Sequence, residues 1–213
     1  MTKITTLTTC LFLAGLSVSL AAEDKADGWL SLFDGRTLMG WESSVDHPES
    51  FSIEDGAIKV NGRVAHLFYV GHQNHGQFRD FEFKAKVKTR KNSNSGIYFH
   101  TQWQDVSWPK TGYECQVNNS HSDWRRTGGL YGVQDVRNPP SKDDEWFDYY
   151  IKVQGKQVII KINGQQVVDY TEGEQPEHLK ETPGRKIGEG TFCLQAHDPG
   201  STVYFKEIYA RPL

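Results

Sequence analysis

The sequence is poor in the features that usually name a function. It has three cysteines in 213 residues, and Cys10 lies in the extreme N-terminal segment. No Gly-rich phosphate loop and no G-x-S-x-G nucleophile elbow occurs, so neither a nucleotide site of the common kinds nor an α/β-hydrolase triad is indicated. There is no basic cluster, and the formal net charge is −3. A mildly acidic chain of this kind argues against nucleic acid or an anionic membrane as partner. No amphipathic helix pattern, no fixed-period repeat and no Pro-, Gly- or Ser-rich linker is evident, which excludes helical bundles, solenoids and propellers and favours one domain.

One apolar run is present, at the N-terminus. Residues 1–21 carry a single charge, Lys3, then an apolar stretch to Leu20, then small residues. The run is short, and Ser19-Leu20-Ala21 fits a signal-peptidase site, so we expect a cleaved signal peptide over 1–21 and a single mature domain over 22–213. The mature chain would hold 192 of the 213 residues and carry a net charge of −4 after loss of Lys3. Export to the periplasm or medium follows, with no membrane insertion after cleavage. Cys115 and Cys193 would remain. Cys115 alternates onto the face of Tyr113 and Val117, whereas Cys193 alternates onto the face of Gln195 and His197, so the two are expected as free thiols and not as a disulfide.

What the chain has in quantity is short alternating segments punctuated by turns. "FRDFEFKAKVKTR" sets Phe81, Phe83, Ala85 and Val87 against Glu82, Lys84, Lys86 and Lys88. Asp55-Gly56, Gln154-Gly155 and Asn163-Gly164 are hairpin signals between such segments. Residues 171–189 are polar, contain Pro176 and Pro183, and read as a long loop with at most a short helical turn. Many short strands in a chain of this size predict an all-β sandwich or barrel.

Alternation also sorts side chains by face. With the aliphatic and aromatic positions taken as core, the opposite faces collect Lys84 and Glu82, Tyr98 and His100, Glu114 and Gln116, and Gln195 and His197. These groups hydrogen-bond sugars and move protons. If their strands are neighbours they floor a groove; otherwise they are separate solvated residues. Trp103, Trp108 and Trp124 lie in loops beside the Glu114 strand, where a ring either stacks on a sugar or anchors its loop. Arg125-Arg126, next to Trp124, is suited to an oxyanion or to solvent, and Tyr131 of "LYGVQDV" is a further candidate contact. The spacing of His66, His72 and His75 matches no metal pattern, and no metal site is predicted. "DVRNPPSKDDE" offers oxygen ligands but lacks an EF-hand pattern and reads as a solvated turn; no cofactor is expected, with calcium left open. Glu114 stands alone on its strand, so a second carboxylate for ordinary glycoside hydrolysis would have to come from Glu82, Asp105 or Asp123.

In order, "LFDGRTLMGWES", "FRDFEFKAKVK", "NSGIYFH", "GYECQVNN", "TGGLYGV", "DEWFDYYIKVQGKQVIIKINGQQVVDY" and "GTFCLQAHDPGSTVYFKEI" resemble the 3-keto-disaccharide hydrolase family, once known only as a domain of unknown function. The resemblance spans about Trp29 to Leu213 and implies a concanavalin A-like jelly-roll sandwich. It also implies exported breakdown of carbohydrates whose C3 hydroxyl has been oxidised to a ketone. There a base removes the acidified C2 proton, the C1 substituent leaves by elimination, and water can add back. Such a route needs no pair of flanking carboxylates, only a base, an oxyanion donor and an acid. Carried onto this sequence, the family pattern falls on Asn94 to Phe99, on Gly112, Tyr113, Glu114 and Gln116, and on Leu194, Gln195 and His197. It implies Glu114 or His197 as base with the other as acid, Lys84 or His100 as enediolate stabiliser, and Gln116, Gln195 and Tyr98 as hydroxyl ligands. The family commonly has Arg where this chain has His100, which would stabilise an anion only when protonated, or act as acid or base. The same polar groove would also suit a non-catalytic carbohydrate-binding module, and scattered polar residues with buried Trp rings would instead indicate a structural or adhesion domain.

Overall fold

The computed structural model describes residues 27–213; the expected signal peptide and residues 22–26 lie outside the described residues. The strands among the described residues are β1 (Leu30–Ser31), β2 (Trp41–Ser43), β3 (Phe51–Glu54), β4 (Ala57–Val60), β5 (Ala65–Tyr69), β6 (Phe81–Thr89), β7 (Ser95–Thr101), β8 (Tyr113–Val117), β9 (Arg126–Leu130), β10 (Gln134–Val136), β11 (Phe147–Gln154), β12 (Gln157–Ile162), β13 (Gln165–Thr171), β14 (Thr191–Ala196) and β15 (Val203–Pro212). They form two antiparallel sheets. One runs β13-β12-β11-β6-β15-β4-β3, with β1 paired to β15; the other runs β10-β9-β8-β7-β14-β5-β2. This is the expected jelly-roll β-sandwich. Among the described residues, helical structure is limited to three short 3-10 turns, one of them (Glu177–Lys180) inside the predicted loop. No helix among the described residues is long and apolar enough to cross a membrane.

Local sequence explains the hairpins. Asp55 and Gly56, joining β3 to β4, both have positive φ (51° and 74°), as do Asn163 and Gly164 between β12 and β13 (50° and 77°). Positive φ at both central residues gives the turn whose twist matches paired strands, and Asn, Asp and Gly tolerate it best. The core lies between the sheets. Phe81, Phe83, Ala85 and Val87 of β6 meet Tyr113, Cys115 and Val117 of β8 within a single apolar cluster. The large rings Phe78, Phe81, Phe83 and Phe192 pack with centroids 4.7–6.3 Å apart, in the range where aromatic pairs attract beyond simple burial. Cys115 and Cys193 are buried free thiols. As parity requires, they sit on opposite faces of their sheet, Cys193 against Phe68 and Tyr98.

Candidate active site

The seven-stranded sheet carries a hollow on its outer face, with a volume of about 260 Å³. Its floor comes from three adjacent strands: Tyr98 on β7, Glu114 and Gln116 on β8, and Gln195 on β14. Tyr98 and Glu114 are direct cross-strand partners. Both faces of β8 are therefore closed, one by the core and the other by the hollow, and Glu114 is only 5% exposed. Sequence parity placed these four residues on one face, and the strand order makes them neighbours.

The floor is a hydrogen-bonded unit. The Tyr98 hydroxyl donates to Glu114 Oε2 at 2.9 Å. Gln195 Nε2 donates to Glu114 Oε1 at 2.9 Å and to the Tyr98 oxygen at 3.0 Å. Gly96 is what lets the carboxylate lie there: a Cβ at that position would stand 2.6 Å from Glu114 Oε1. Burial raises the Glu114 pKa above its ordinary value, opposed by the Tyr98 hydrogen bond, the Arg185 charge, the Gln195 hydrogen bond and His197. Burial also pushes the Tyr98 hydroxyl well up, so it stays a donor. Gln116 Nε2 donates to Asn94 Oδ1 at 3.1 Å. The amide oxygens of Gln116 and Gln195, and Nε2 of His66, are buried with no hydrogen-bond partner in the protein. An unmatched buried acceptor costs about 1–3 kcal/mol.

Loops build the walls. Trp108 and Pro109 close one side, Asp123 and Tyr131 another, and Arg185 and His197 complete the rim. Tyr131 is held over β8 by its N–H to the Glu114 carbonyl, 2.9 Å. Arg185 is fixed by Nη1 to the Tyr131 carbonyl at 2.8 Å, with its guanidinium 5.4 Å from the Tyr131 ring centroid. Its loop is tied to the core. The Tyr113 hydroxyl bonds Glu172, the Ile187 N–H donates to Glu172 Oε2 at 2.8 Å, and His178 Nε2 donates to the Arg185 carbonyl at 2.9 Å. His197 Nδ1 donates to Asp198 Oδ2 at 2.8 Å. Asp198 is further held by Ser201 Oγ (2.7 Å) and the Gly200 N–H (2.8 Å). Although burial opposes it, these hydrogen bonds keep its pKa below the ordinary value.

Two predicted site residues lie elsewhere. Lys84 is on β6, in the opposite sheet, with Nζ 3.6 Å from the Trp29 ring centroid on the far side of the sandwich. Glu82, on the same outer face of that sheet, bonds Tyr150 and Arg211. Parity reports the face of a strand but not the sheet it joins. His100 is in β7 but has φ 56° beside a register shift against β14, which turns its ring off the outer face. It packs 5.6 Å from Phe81 and 5.1 Å from Phe99. Nδ1 accepts the Gly188 N–H (3.1 Å) and Nε2 donates to the Arg79 carbonyl (2.8 Å), so the ring is neutral, and burial lowers its pKa. His100 buttresses the loop that carries Arg185; it does not line the hollow.

Other candidates stand around the site. Trp103 packs 5.2 Å from Phe68 and donates to Asp105. The Trp124 ring centroid lies 4.9 Å from the Arg125 guanidinium and 4.1 Å from that of Arg137. Arg125 bonds Asp135 and lies 4.8 Å from the Tyr131 ring centroid, behind the wall. Asp123, named in sequence as one source of a second carboxylate, does line the hollow, with Oδ1 accepting the Arg125 N–H at 3.0 Å. Arg185 was missed, because a lone Arg in an aperiodic loop gives no signal beyond the Pro183-Gly184 turn before it. His66 was weighed only as a metal ligand. It is the cross-strand partner of Gln195 and sits under Trp108, centroids 5.4 Å apart. Burial lowers its pKa to about 4. Among the described residues, His121, His197 and Asp198 bring three possible metal donors within 4.8 Å of one another. Of these groups, Asp198 accepts from His197 Nδ1, and His121 Nδ1 accepts the Asp123 N–H while its Nε2 stands 3.7 Å from Asp198 Oδ2.

Comparison with known proteins bears on the fold and the family. A 3-keto-disaccharide hydrolase of Bacteroides thetaiotaomicron is 35% identical over 95 residues, a match covering 39% of this chain and 31% of the relative. The match thus spans about a third of that relative's length. A candidate glycosyl hydrolase of Parabacteroides distasonis superposes with a TM-score of 0.73 at 25% identity, covering 91% of this chain and 98% of that one. The carbohydrate-binding module CBM66 of Bacillus subtilis shares the fold alone, with a TM-score of 0.58 at 13% identity over 81% of this chain and 95% of the other. A profile described as a 3-keto-alpha-glucoside-1,2-lyase-like domain matches residues 28–211, nearly all of the sandwich described above, and the chain belongs to that family.

Proposed function

We propose that this protein cleaves glycosides whose sugar carries a ketone at C3, by removing the C2 proton and expelling the C1 substituent. The observation that carries the reading is the buried Glu114 carboxyl, held by Tyr98 and Gln195 on the floor of a hollow that also presents Arg185 and His197. A carboxylate with a raised pKa is a stronger base than a solvated one, and a base poised nearer the working pH is more effective. Glu114 takes the C2 proton, and the C–H electron pair becomes the enediolate, whose C3 oxygen is stabilised by Arg185 in place of the expected Lys84 or His100. The C3 carbonyl then re-forms, the C1–O bond breaks, and the leaving oxygen takes a proton from Nε2 of a protonated His197, whose ring Asp198 holds through Nδ1. Water then adds its oxygen to C1 and gives a proton to His197, while Glu114 returns its proton to C2, which gives net hydrolysis and resets both groups. Gln116 and Gln195 line the hollow as polar contacts for sugar hydroxyls, and the exposed Trp108 ring offers a stacking face at the rim. Export to the periplasm or medium, where such sugars would be met, is proposed from the N-terminal segment.

Asp123 supports a second reading, ordinary hydrolysis with Glu114 and Asp123 as paired carboxylates. Incubation with a 3-keto-glucoside and with its unoxidised parent, followed by NMR, separates them. The elimination reading expects loss of the keto sugar alone, with solvent exchange of its C2 proton. Cleavage of the parent at a comparable rate supports paired carboxylates. Line broadening of either sugar without turnover supports a binding module.

A further inference from the structure

The outer face of the eight-stranded sheet, across the sandwich from the hollow, is strongly basic. On β4, β6, β11, β12 and β15 it presents eight cations, three from β6, two from β15 and one from each of the other strands, against the carboxylates of Glu82, Asp148 and Glu207. The formal net charge of the whole chain is −3, so its excess of acid lies elsewhere. We infer that this face docks an acidic polysaccharide, a chain of uronate sugars, and leaves the hollow on the opposite sheet open to solvent.

Three of the cations are paired within the protein: Lys86 with Asp148, Arg211 with Glu82, and Lys59 with Glu54. Others are held in place without losing their charge. Lys88 Nζ stands 4.8 Å from the Trp146 ring centroid and 4.7 Å from that of Tyr204, and Lys206 Nζ stands 4.3 Å from Trp146. Lys161 Nζ lies 5.6 Å from the Tyr150 centroid. An aromatic face steadies an ammonium but does not neutralise it, so the charge stays available to a ligand. The register spreads these groups over the sheet. Lys84 and Lys161 are the cross-strand partners of Tyr150 on its two sides, and the three line a shallow depression of about 480 Å³. Lys206 is likewise the partner of Lys86, and Tyr204 that of Lys88. Neighbouring positions on such a face recur at about 5 Å between strands and about 7 Å along one. The charge therefore covers far more surface than one small anion, and it suits a chain with a charge on each ring.

The side chains also select the class of polymer. The one guanidinium, Arg211, is occupied by Glu82, so no free fork is left to fix a single anion in one orientation. Lysines act as point charges and gain by holding a repeating ligand at several places at once. Nucleic acid needs open ring faces on which bases stack, and here Trp29 is buried beneath Lys84 while Trp146 is flanked by Lys88 and Lys206. Lipid needs a set of apolar side chains to insert. Apart from Trp146 and Leu213, the exposed large apolar side chains among the described residues flank strands of the seven-stranded sheet.

The test titrates the purified protein with a polygalacturonate oligomer, with a neutral galactan of the same length and with phosphatidylglycerol vesicles, following heat of binding. The wild type is expected to bind polygalacturonate and not galactan. Combining Lys88→Gln, Lys161→Gln and Lys206→Gln should weaken that binding about tenfold or more, because the contacts reinforce one another. A control that removes the same charge from exposed loop positions, Lys110→Gln with Lys180→Gln and Lys186→Gln, should change it by less than about threefold. A wild type that ignores polygalacturonate, binds galactan equally well or binds only the vesicles overturns the docking surface. So does a loss below threefold in the first variant, or an equal loss in the control. If the triple variant fails to unfold cooperatively, Lys161→Gln alone decides, with a loss of about threefold expected and an unchanged affinity overturning the assignment. Turnover of a 3-keto-glucoside is a separate readout, so either conclusion can fail without the other.

Discussion

The outer faces of the two sheets obey the same alternation and have opposite fates. On β6 the outward residues Lys84, Lys86 and Lys88 stay partly solvated. They settle over aromatic rings, as Lys84 does on Trp29 and Lys88 on Trp146 and Tyr204, or pair with a carboxylate, as Lys86 does with Asp148. On β7, β8 and β14 the outward residues Tyr98, Glu114, Gln116 and Gln195 are buried. Long cations on flexible stems can cover apolar surface and keep their charge in water. A short carboxylate beneath loops cannot, and it must be matched by neighbours or by a ligand. Period-two patterning is thus shared by a face that keeps the protein wet and a face that prepares it for chemistry. The difference lies in which loops fold over the sheet.

That contrast predicts unequal responses to the same kind of substitution. Glu114→Gln keeps the shape of the floor and removes the base, so turnover of a 3-keto-glucoside should fall by about a hundredfold to ten-thousandfold, read as kcat. Activity within tenfold of the wild type would remove Glu114 from the mechanism. The same variant has a stability signature. Because the folded pKa of Glu114 is raised, ionising it opposes folding, and that penalty grows as pH rises above the ordinary value of 4.5. The melting temperature of Glu114→Gln relative to the wild type should therefore be higher at pH 8 than at pH 4.

His66 gives the next largest effect, with the opposite sign. Burial holds its folded pKa at about 4, below the ordinary 6.5 of a histidine. The stability of the neutral form is intact above pH 6.5 and is lost as pH falls toward 4, up to about 3 kcal/mol. His66→Phe should flatten the fall in denaturation midpoint across that window; an unchanged slope would mean that the ring is reached by solvent. The smallest effect belongs to the other face. Lys84→Gln should cost under about 1 kcal/mol and leave kcat within about twofold. A hundredfold loss of activity there would place chemistry on the wrong sheet.

Much of this was readable before any coordinates. The hairpin at Asn163-Gly164 and the shared face of Tyr98, Glu114, Gln116 and Gln195 follow from turn chemistry and parity. Lys84 misled because strands adjacent in sequence are not adjacent in the sheets: β6 lies between β11 and β15, while β7 lies between β8 and β14. His100 misled because a left-handed backbone at a histidine leaves no mark in an alternating pattern. Arg185 was invisible because its guanidinium is placed by the Tyr131 carbonyl, 54 residues away in sequence, and its loop is tied down at Ile187 by Glu172, with no local period.

The Tyr113 hydroxyl, at the edge of the core, bonds Glu172 and approaches His178 Nε2 at 3.2 Å. The scaffold and its recognition loop are therefore not independent modules. Loop exchange is a natural route to new specificity on a sandwich of this kind, since strands supply the floor and loops supply the rim. On this protein a transplanted loop would have to bring a carboxylate and an imidazole to meet that phenol. Swaps that ignore this would produce a sound sheet with its cation adrift.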